Sequence, residues 1–415
     1  MKKISLAGLC LLAGITASAQ TSLVKEVERT IKGDYDYTTV INNLAPAFDN
    51  EETKSDAHTY FVAGKAGINN YDKAKIKMQL GQLNDGKEKH TAAKSLKDAY
   101  GYYSKALPLD SVVDAKGKVK TKYSKDIIKD MVASYANMRD AGVLLFEEHD
   151  YPAAYEAWEL YTTTMPANET LRKNKLVTDP DTIVAQILFY QGVAALSAGE
   201  QDESIADEYN RKAVEVMKRA AAVKDYDNID VYRYGIEAAR RVNDSIAMLD
   251  LAQAGYNKYG SSDISFIGQL INSRLGAKDY AACYSLLNEA IANAPENNMR
   301  AQLQDVLGYV YEQEEKFPES EAAYSEAIKL DPQTAKPYFD LGRIIYNQAL
   351  RIDENADDDT RANTVKPQLL KAAELFEKAY NLNKDDMTQI PGILYRLYYR
   401  LGAGYEDQAE KWDNM

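Results

Sequence analysis

"LGYVYEQEEKFPESEAAYSEAIKLDP", residues 307–332, places small residues at fixed intervals among aromatic ones and closes on a proline. Leu307, Gly308 and Tyr311 fall at i, i+1 and i+4, one stripe of a helix. Twelve residues after Gly308 comes Ser320, followed by Tyr324 and Ala327 at i+4 and i+7, the stripe of a second helix. Between them "EEKFPES" reads as a turn, because Pro318 suits a first helical turn and cannot sit deeper in a helix. Pro332 stops the second helix. Small residues on facing stripes let two helix axes approach closely, with aromatic side chains filling the space beside them. The segment predicts one helical hairpin.

The hairpin recurs. Gly342 lies 34 residues after Gly308. Tyr234-Gly235 is followed by Ala247, Leu251 and Ala254, and Leu270-Ile271 leads to Cys283, Leu287, Ala290 and Pro295. Ala141-Gly142 leads to Ala154, Trp158, Tyr161 and Pro166. These segments resemble the tetratricopeptide repeat family, whose 34-residue pattern is W-x2-L-G-x2-Y, A-x3-F and P. The matches are 138–166, 230–259, 265–295, 304–332 and 338–342 with 372–379, although Met138, Ile267, Gln304 or Tyr338 stands where the family has its first Trp. The resemblance implies an all-α fold: about eight hairpins over residues 20–415, stacked as a right-handed α-α superhelix with a degenerate N-terminal unit and a C-terminal capping helix.

Three repeats are interrupted by "YDKAKIKMQLGQLNDGKEKHTAAK", "AGEQDESIADEY" and "RIDENADDDTRANTVKP". Polar and rich in Gly or Asp, they are expected to protrude from the turn inside each hairpin. The stretch 114–125, "DAKGKVKTKYSK", reads either as a short β-hairpin about Gly117 or as a solvated linker.

Residues 1–19 have the form of a signal peptide: Lys2 and Lys3, an apolar run, then Ala17-Ser18-Ala19 before Gln20. Cys10 follows Leu9 rather than a small residue, so cleavage at the A-x-A site is expected in place of lipidation. Such a chain is exported, to the periplasm or the outer surface of the envelope. No later segment has about 18 uncharged apolar residues, so no integral membrane segment is expected. After cleavage Cys283 is left without a disulfide partner. The formal charge of −13 becomes −15 once Lys2 and Lys3 are gone, which argues against nucleic acid and anionic membranes as partners.

Catalysis needs tuned groups held near one another. The chain has three histidines, His58, His90 and His149, and no G-x-S-x-G, H-E-x-x-H, C-x-x-C or phosphate loop. No enzyme activity and no cofactor is expected. Asp353, Asn355 and Asp357 share the 1-3-5 spacing of a calcium loop, but Asp358 replaces its glycine and Thr364 its final Glu, so a solvated acidic loop is the reading preferred.

In the family, the first helix of each hairpin lines an inner wall with the face turned from the Leu-Gly stripe. Carried across by register, that wall would present Arg139, Phe146, Tyr232, Tyr309, Phe339, Arg343, Tyr346 and Asn347, with Val143, Phe189 and Asp305 between them. Aromatic, Arg and Asn side chains together suit a peptide-holding groove. A protein or peptide partner is expected, with a carbohydrate or peptidoglycan ligand, stacked on the tyrosines, as the alternative.

Overall fold

The computed structural model describes residues 20–113, 117, 119–260 and 263–414. The expected signal peptide, residues 1–19, lies outside them. The chain is an all-α repeat of antiparallel helix pairs and divides into two compact units, Met1–Ala247 and Met248–Met415. The boundary falls within the helix Ser245–Tyr259.

In the first unit the helix 20–30 packs with Tyr37–Asp49 through Val24, Val27, Val40 and Leu44. The pairs Ala57–Gln79 with Gly86–Leu109, Ser124–Glu147 with Tyr151–Glu159, and Asp181–Gln201 with Ala206–Ala221 follow, then the helix Asp230–Arg241. In the second unit Ile264–Gly276 pairs with Tyr280–Asn293, Asn297–Gln313 with Phe317–Leu330, Ala335–Asp353 with Lys366–Leu382, and Ile390–Leu401 with Glu406–Asp413.

In five of the pairs a glycine decides how close the helices come. A Cβ on Gly308 would lie 2.7 Å from the ring of Tyr324, the aromatic residue four positions after Ser320. Gly64 meets Tyr103, Gly142 meets Trp158 and Gly342 meets Phe376 in the same way, while Met217 covers Gly192. Each ring lies on bare backbone, so dispersion contacts replace the space a side chain would take. Ser320 Oγ, facing the same turn, donates 2.7 Å to the Gly308 carbonyl.

Turns and starts also repeat. His149, Lys278 and Glu315 adopt positive φ of 61°, 56° and 60°, each seven residues after the small position of its first helix. An aspartate then caps the second helix at Asp150 and Asp279, where its carboxylate accepts from the backbone N–H of Ala153 and Ala282. In 230–259 the positive-φ residue is Asn243, one later than the Gly235 register requires. Ile236 is accordingly buried, and Tyr234, read as a core position, is exposed.

The interruptions do not protrude as loops. The first lengthens its two helices to 23 and 24 residues, with a turn only at 80–85. The second continues the helix Asp181–Gln201 and adds one 3₁₀ turn, Glu203–Ile205. The third is a short turn, the helix Asp358–Thr360 and a π-turn, Arg361–Val365, leading into Lys366. Polar residues of high helix propensity extend a helix as readily as they form a loop, and a π-turn absorbs the extra residue. Residues 112–120 do form an antiparallel ribbon, Val112 opposite Lys120 and Val113 opposite Val119; 114–116 and 118 lie outside the described residues. The C-terminal cap is two helices, not one, because Gly402 (φ 72°) and Gly404 (φ 96°) turn the chain between them.

The helix Asp181–Gln201 is long and apolar enough to cross a membrane by length and composition, unlike any segment expected from the sequence. Half of its apolar window is buried inside the protein, and its Gln191 accepts 3.0 Å from Thr162 Oγ1, as in a core helix.

Gly308→Ala is expected to destabilise the protein by about 1–3 kcal/mol through overpacking against Tyr324. Gly268→Ala, where a Cβ meets nothing within 4 Å, is expected to be neutral or to stabilise by up to about 1 kcal/mol. Urea denaturation followed by circular dichroism compares the two; equal effects would remove the ring-on-glycine contact as the determinant.

Candidate functional site

Two successive first helices of the second unit, Asn297–Gln313 and Ala335–Asp353, bring the clearest group of wall positions together. Arg343 grips Glu312 with two hydrogen bonds, 2.5 and 2.8 Å, and reaches Asp340 at 3.1 Å. Lys336 donates to Asp340 at 2.7 Å and to Asp305. Three carboxylates thus hold two cations across consecutive repeats. Tyr324, from the helix between, points its hydroxyl at Glu312, 3.4 Å away.

Burial sets the electrostatics. Asp305 is almost wholly enclosed, and its Oδ1 has no hydrogen-bond partner. Desolvation pushes its carboxyl up to about 6, against the pull of Lys336 and Arg343. The Arg343 guanidinium, bonded to Glu312 and Asp340, is held above its ordinary value. Both cations are therefore spent inside the protein, which makes this face a poor receptor for an incoming carboxylate.

Around this network the predicted wall residues separate into two kinds. Tyr309 (43% exposed) and Asn347 face solvent. Phe339 and Tyr346 pack on Phe376, ring centroids 5.7 and 6.3 Å apart, and are half-buried. Arg343 is fixed as described.

In the first unit Arg139 is paired with Asp140 (3.1 Å) and Asp179 (3.3 Å), and its carbonyl accepts from Trp158 Nε1. Phe146 lies against Tyr151 and Trp158. Tyr232 is 4% exposed and offers no surface to a partner. Its assignment to the wall is corrected by the one-residue offset of this repeat, which puts Tyr232 at a core position. The same offset explains why the sequence reading overlooked Tyr234 (43% exposed); Tyr190 (42%), on the helix Asp181–Gln201, was overlooked without any offset, and both rings lie against Phe189. The positive-φ turn at Asn243 is the signal that would have revealed the offset.

The acidic loop has no calcium-like arrangement. Asp353 accepts from Arg361 (3.0 Å) and Arg400 (3.2 Å), and Asp357 caps the N–H of Thr360. No group of three or more His, Cys, Asp or Glu among the described residues is placed to hold a metal ion. Cys283 is buried at the small position of its hairpin, and burial raises its thiol pKa, so it behaves as a packing residue.

No protein-family model matches the chain, and no curated protein does either. Solved structures similar to it include a MamA double mutant (18% identity, 49% of this chain and 96% of that one, TM-score 0.32). Others are the C-terminal part of a TPR repeat-containing protein from Cytophaga hutchinsonii (13%, 66% and 92%, TM-score 0.40) and a human IFIT1 dimer with m7Gppp-AAAA (15%, 85% and 68%, TM-score 0.35). The helix pairs themselves are antiparallel hairpins of an all-α repeat fold, four of them with a glycine set against a ring of the partner helix.

The Asp305 carboxyl gives a signed pH prediction. A folded pKa of about 6, above the unfolded value near 3.9, means the folded state holds the extra proton, so this group's contribution falls as pH rises from about 4 to about 6. Comparison with Asp305→Asn by urea denaturation isolates it. The wild type should lose on the order of 1–3 kcal/mol relative to the variant between pH 4 and 7; a constant difference would show that Asp305 ionises normally.

Proposed function

We propose that this chain is an exported, non-catalytic scaffold that holds protein or peptide partners in the cell envelope. The observation that carries the reading is a division of labour in the helix pairs. Glycines covered by rings seal four of the pairs, and a methionine seals a fifth, while large side chains including Val143, Tyr190, Tyr234 and Tyr309 are left projecting from first helices into solvent. Exposed aromatic side chains on a rigid backbone supply contact area whose shape is set before binding, which lowers the entropy cost of capture. The net charge of −13 disfavours nucleic acid. Export rests on the sequence of residues 1–19.

Replacing Phe339, Arg343 and Tyr346 together would be a poor test, since each is part of the packing. A photo-crosslinking residue at Tyr309, used in the native cell and followed by mass spectrometry, is expected to join the chain to one or a few proteins. Tyr309→Ala with Asn347→Ala should weaken capture by about tenfold without loss of helicity. Absence of protein adducts, together with clear sugar binding by the purified chain, would transfer the role to a glycan. Protein recovered from the envelope fraction is expected to begin at Gln20; a cytosolic chain beginning at Met1 would remove the exported part of the reading.

A further inference from the structure

The second hairpin and the segment after it form a cleft of about 650 Å³ against the first helix, within the first unit. Its walls are the helix 20–30 with Lys32 just beyond it, the start of the helix Ala57–Gln79, and the residues Leu109, Asp110, Lys122 and Tyr123. Four cations line it: Lys25, Arg29, Lys32 and Lys122. All four are solvent-exposed, and none has an ion pair among the described residues.

The three carboxylates of the cleft are already committed. Asp110 accepts from the backbone N–H groups of Lys122, Tyr123 and Ser124 and from the Ser124 hydroxyl, at 2.6–3.0 Å. Asp56 accepts from the N–H of His58 (2.9 Å), and Glu28 pairs with His58 Nε2 (3.1 Å). Four cations against three acids leave a formal +1 here, in a chain of net charge −13.

A second, apolar notch of about 210 Å³ adjoins the cleft, with Glu28 and Lys32 lining both. Ile31, Phe61 and Val62 line it. Phe61 is held from behind by Tyr123, centroids 4.6 Å apart, and Tyr123 is also stacked on His58.

From this juxtaposition we infer that the cleft is a docking site for an acidic peptide segment carrying one apolar anchor residue. The anchor enters the notch, and the flanking carboxylates meet Lys25, Arg29, Lys32 and Lys122. Charge complementarity selects the occupant: Asp56 and Asp110 accept from backbone donors and Glu28 from His58, while Lys122 lies over the Tyr123 ring at 4.8 Å and feels Glu28 and Asp56 without a direct ion pair among the described residues. The one cation left in excess is what an acidic partner answers. The cations lie on the first helix, just after it, and after the ribbon, outside the repeat pattern. The inference rests on the reading of the chain as a holder of protein partners and names one class of them.

The test uses the full chain and a fluorescein-labelled peptide of alternating Asp and Glu around one leucine, followed by anisotropy. Binding is expected, weakening steeply toward about 0.5 M salt. Lys25→Gln, Arg29→Gln and Lys122→Gln together should weaken it by about tenfold or more and flatten the salt dependence, with helicity unchanged. A probe with serine in place of leucine should bind less tightly with the same salt dependence. Lys224→Glu, at an exposed position away from the cleft, should change nothing.

No binding at about 1 mM peptide, equal binding by the triple variant, or binding of phosphatidylglycerol vesicles in place of the peptide would each overturn the assignment. Should the peptide fail while Tyr309 still cross-links to proteins, only the cleft is refuted and the scaffold reading stands.

Discussion

A side chain laid on bare backbone is the contact on which five of the helix pairs depend. Gly64, Gly142, Gly308 and Gly342 each face the ring of a partner helix, and Gly192 faces a methionine. Removing the Cβ lets the two axes close, and closure buries the ring almost completely: Tyr103, Trp158, Tyr324 and Phe376 are among the largest fully buried side chains. The two features need each other. A larger residue at the glycine would lift the ring off, and a smaller ring would leave a void, at similar cost.

Tyrosine serves a second purpose. A buried ring can carry its hydroxyl to a carboxylate on another segment of the chain. Tyr103 donates to Asp130 at 2.6 Å, Tyr161 to Asp179, Tyr284 to Glu314 and Tyr398 to Glu377. Phenylalanine would seal the pair and leave the carboxylate without its donor. Thirty-one tyrosines against eight phenylalanines, with 63 acidic residues, therefore reflect structural ties as much as surface chemistry. Burial raises the pKa of these tyrosines well above the ordinary value, so they remain donors at any physiological pH.

Charged groups at the repeat surfaces follow a second rule. Arg343, Lys336 and Arg139 are consumed by carboxylates of their own unit, which stiffens consecutive helices and withdraws those cations from recognition. The first helix and the segment after the ribbon differ: Asp56 and Asp110 cap backbone N–H groups and Glu28 pairs with His58, so Lys25, Arg29, Lys32 and Lys122 form no ion pair among the described residues. Recognition chemistry therefore has to be read from what remains after internal pairing, which includes exposed tyrosines on first helices and the cleft lined by Lys25, Arg29, Lys32 and Lys122.

Hairpin spacing was legible because it is local. Gly308 to Ser320 to Tyr324 reports one helix, one turn and one helix, and any chain with that pattern must bury the same stripes. The roles of Phe339, Arg343 and Tyr346 were not legible, since register says which face a side chain leaves from and nothing about what fills the space beyond. Tyr232 shows the sharper failure: a single-residue offset, visible only in the turn at Asn243, moves it from wall to core. By itself the sequence determined the helical-hairpin fold, the glycine–ring pairs and the acidic balance, all consequences of short-range periodicity and composition. The tertiary structure alone decided that insertions become extra helix, which arginines are already spent, and that Lys25, Arg29, Lys32 and Lys122 line one cleft. Those outcomes depend on distances between residues up to about a hundred positions apart, and periodicity carries no such information.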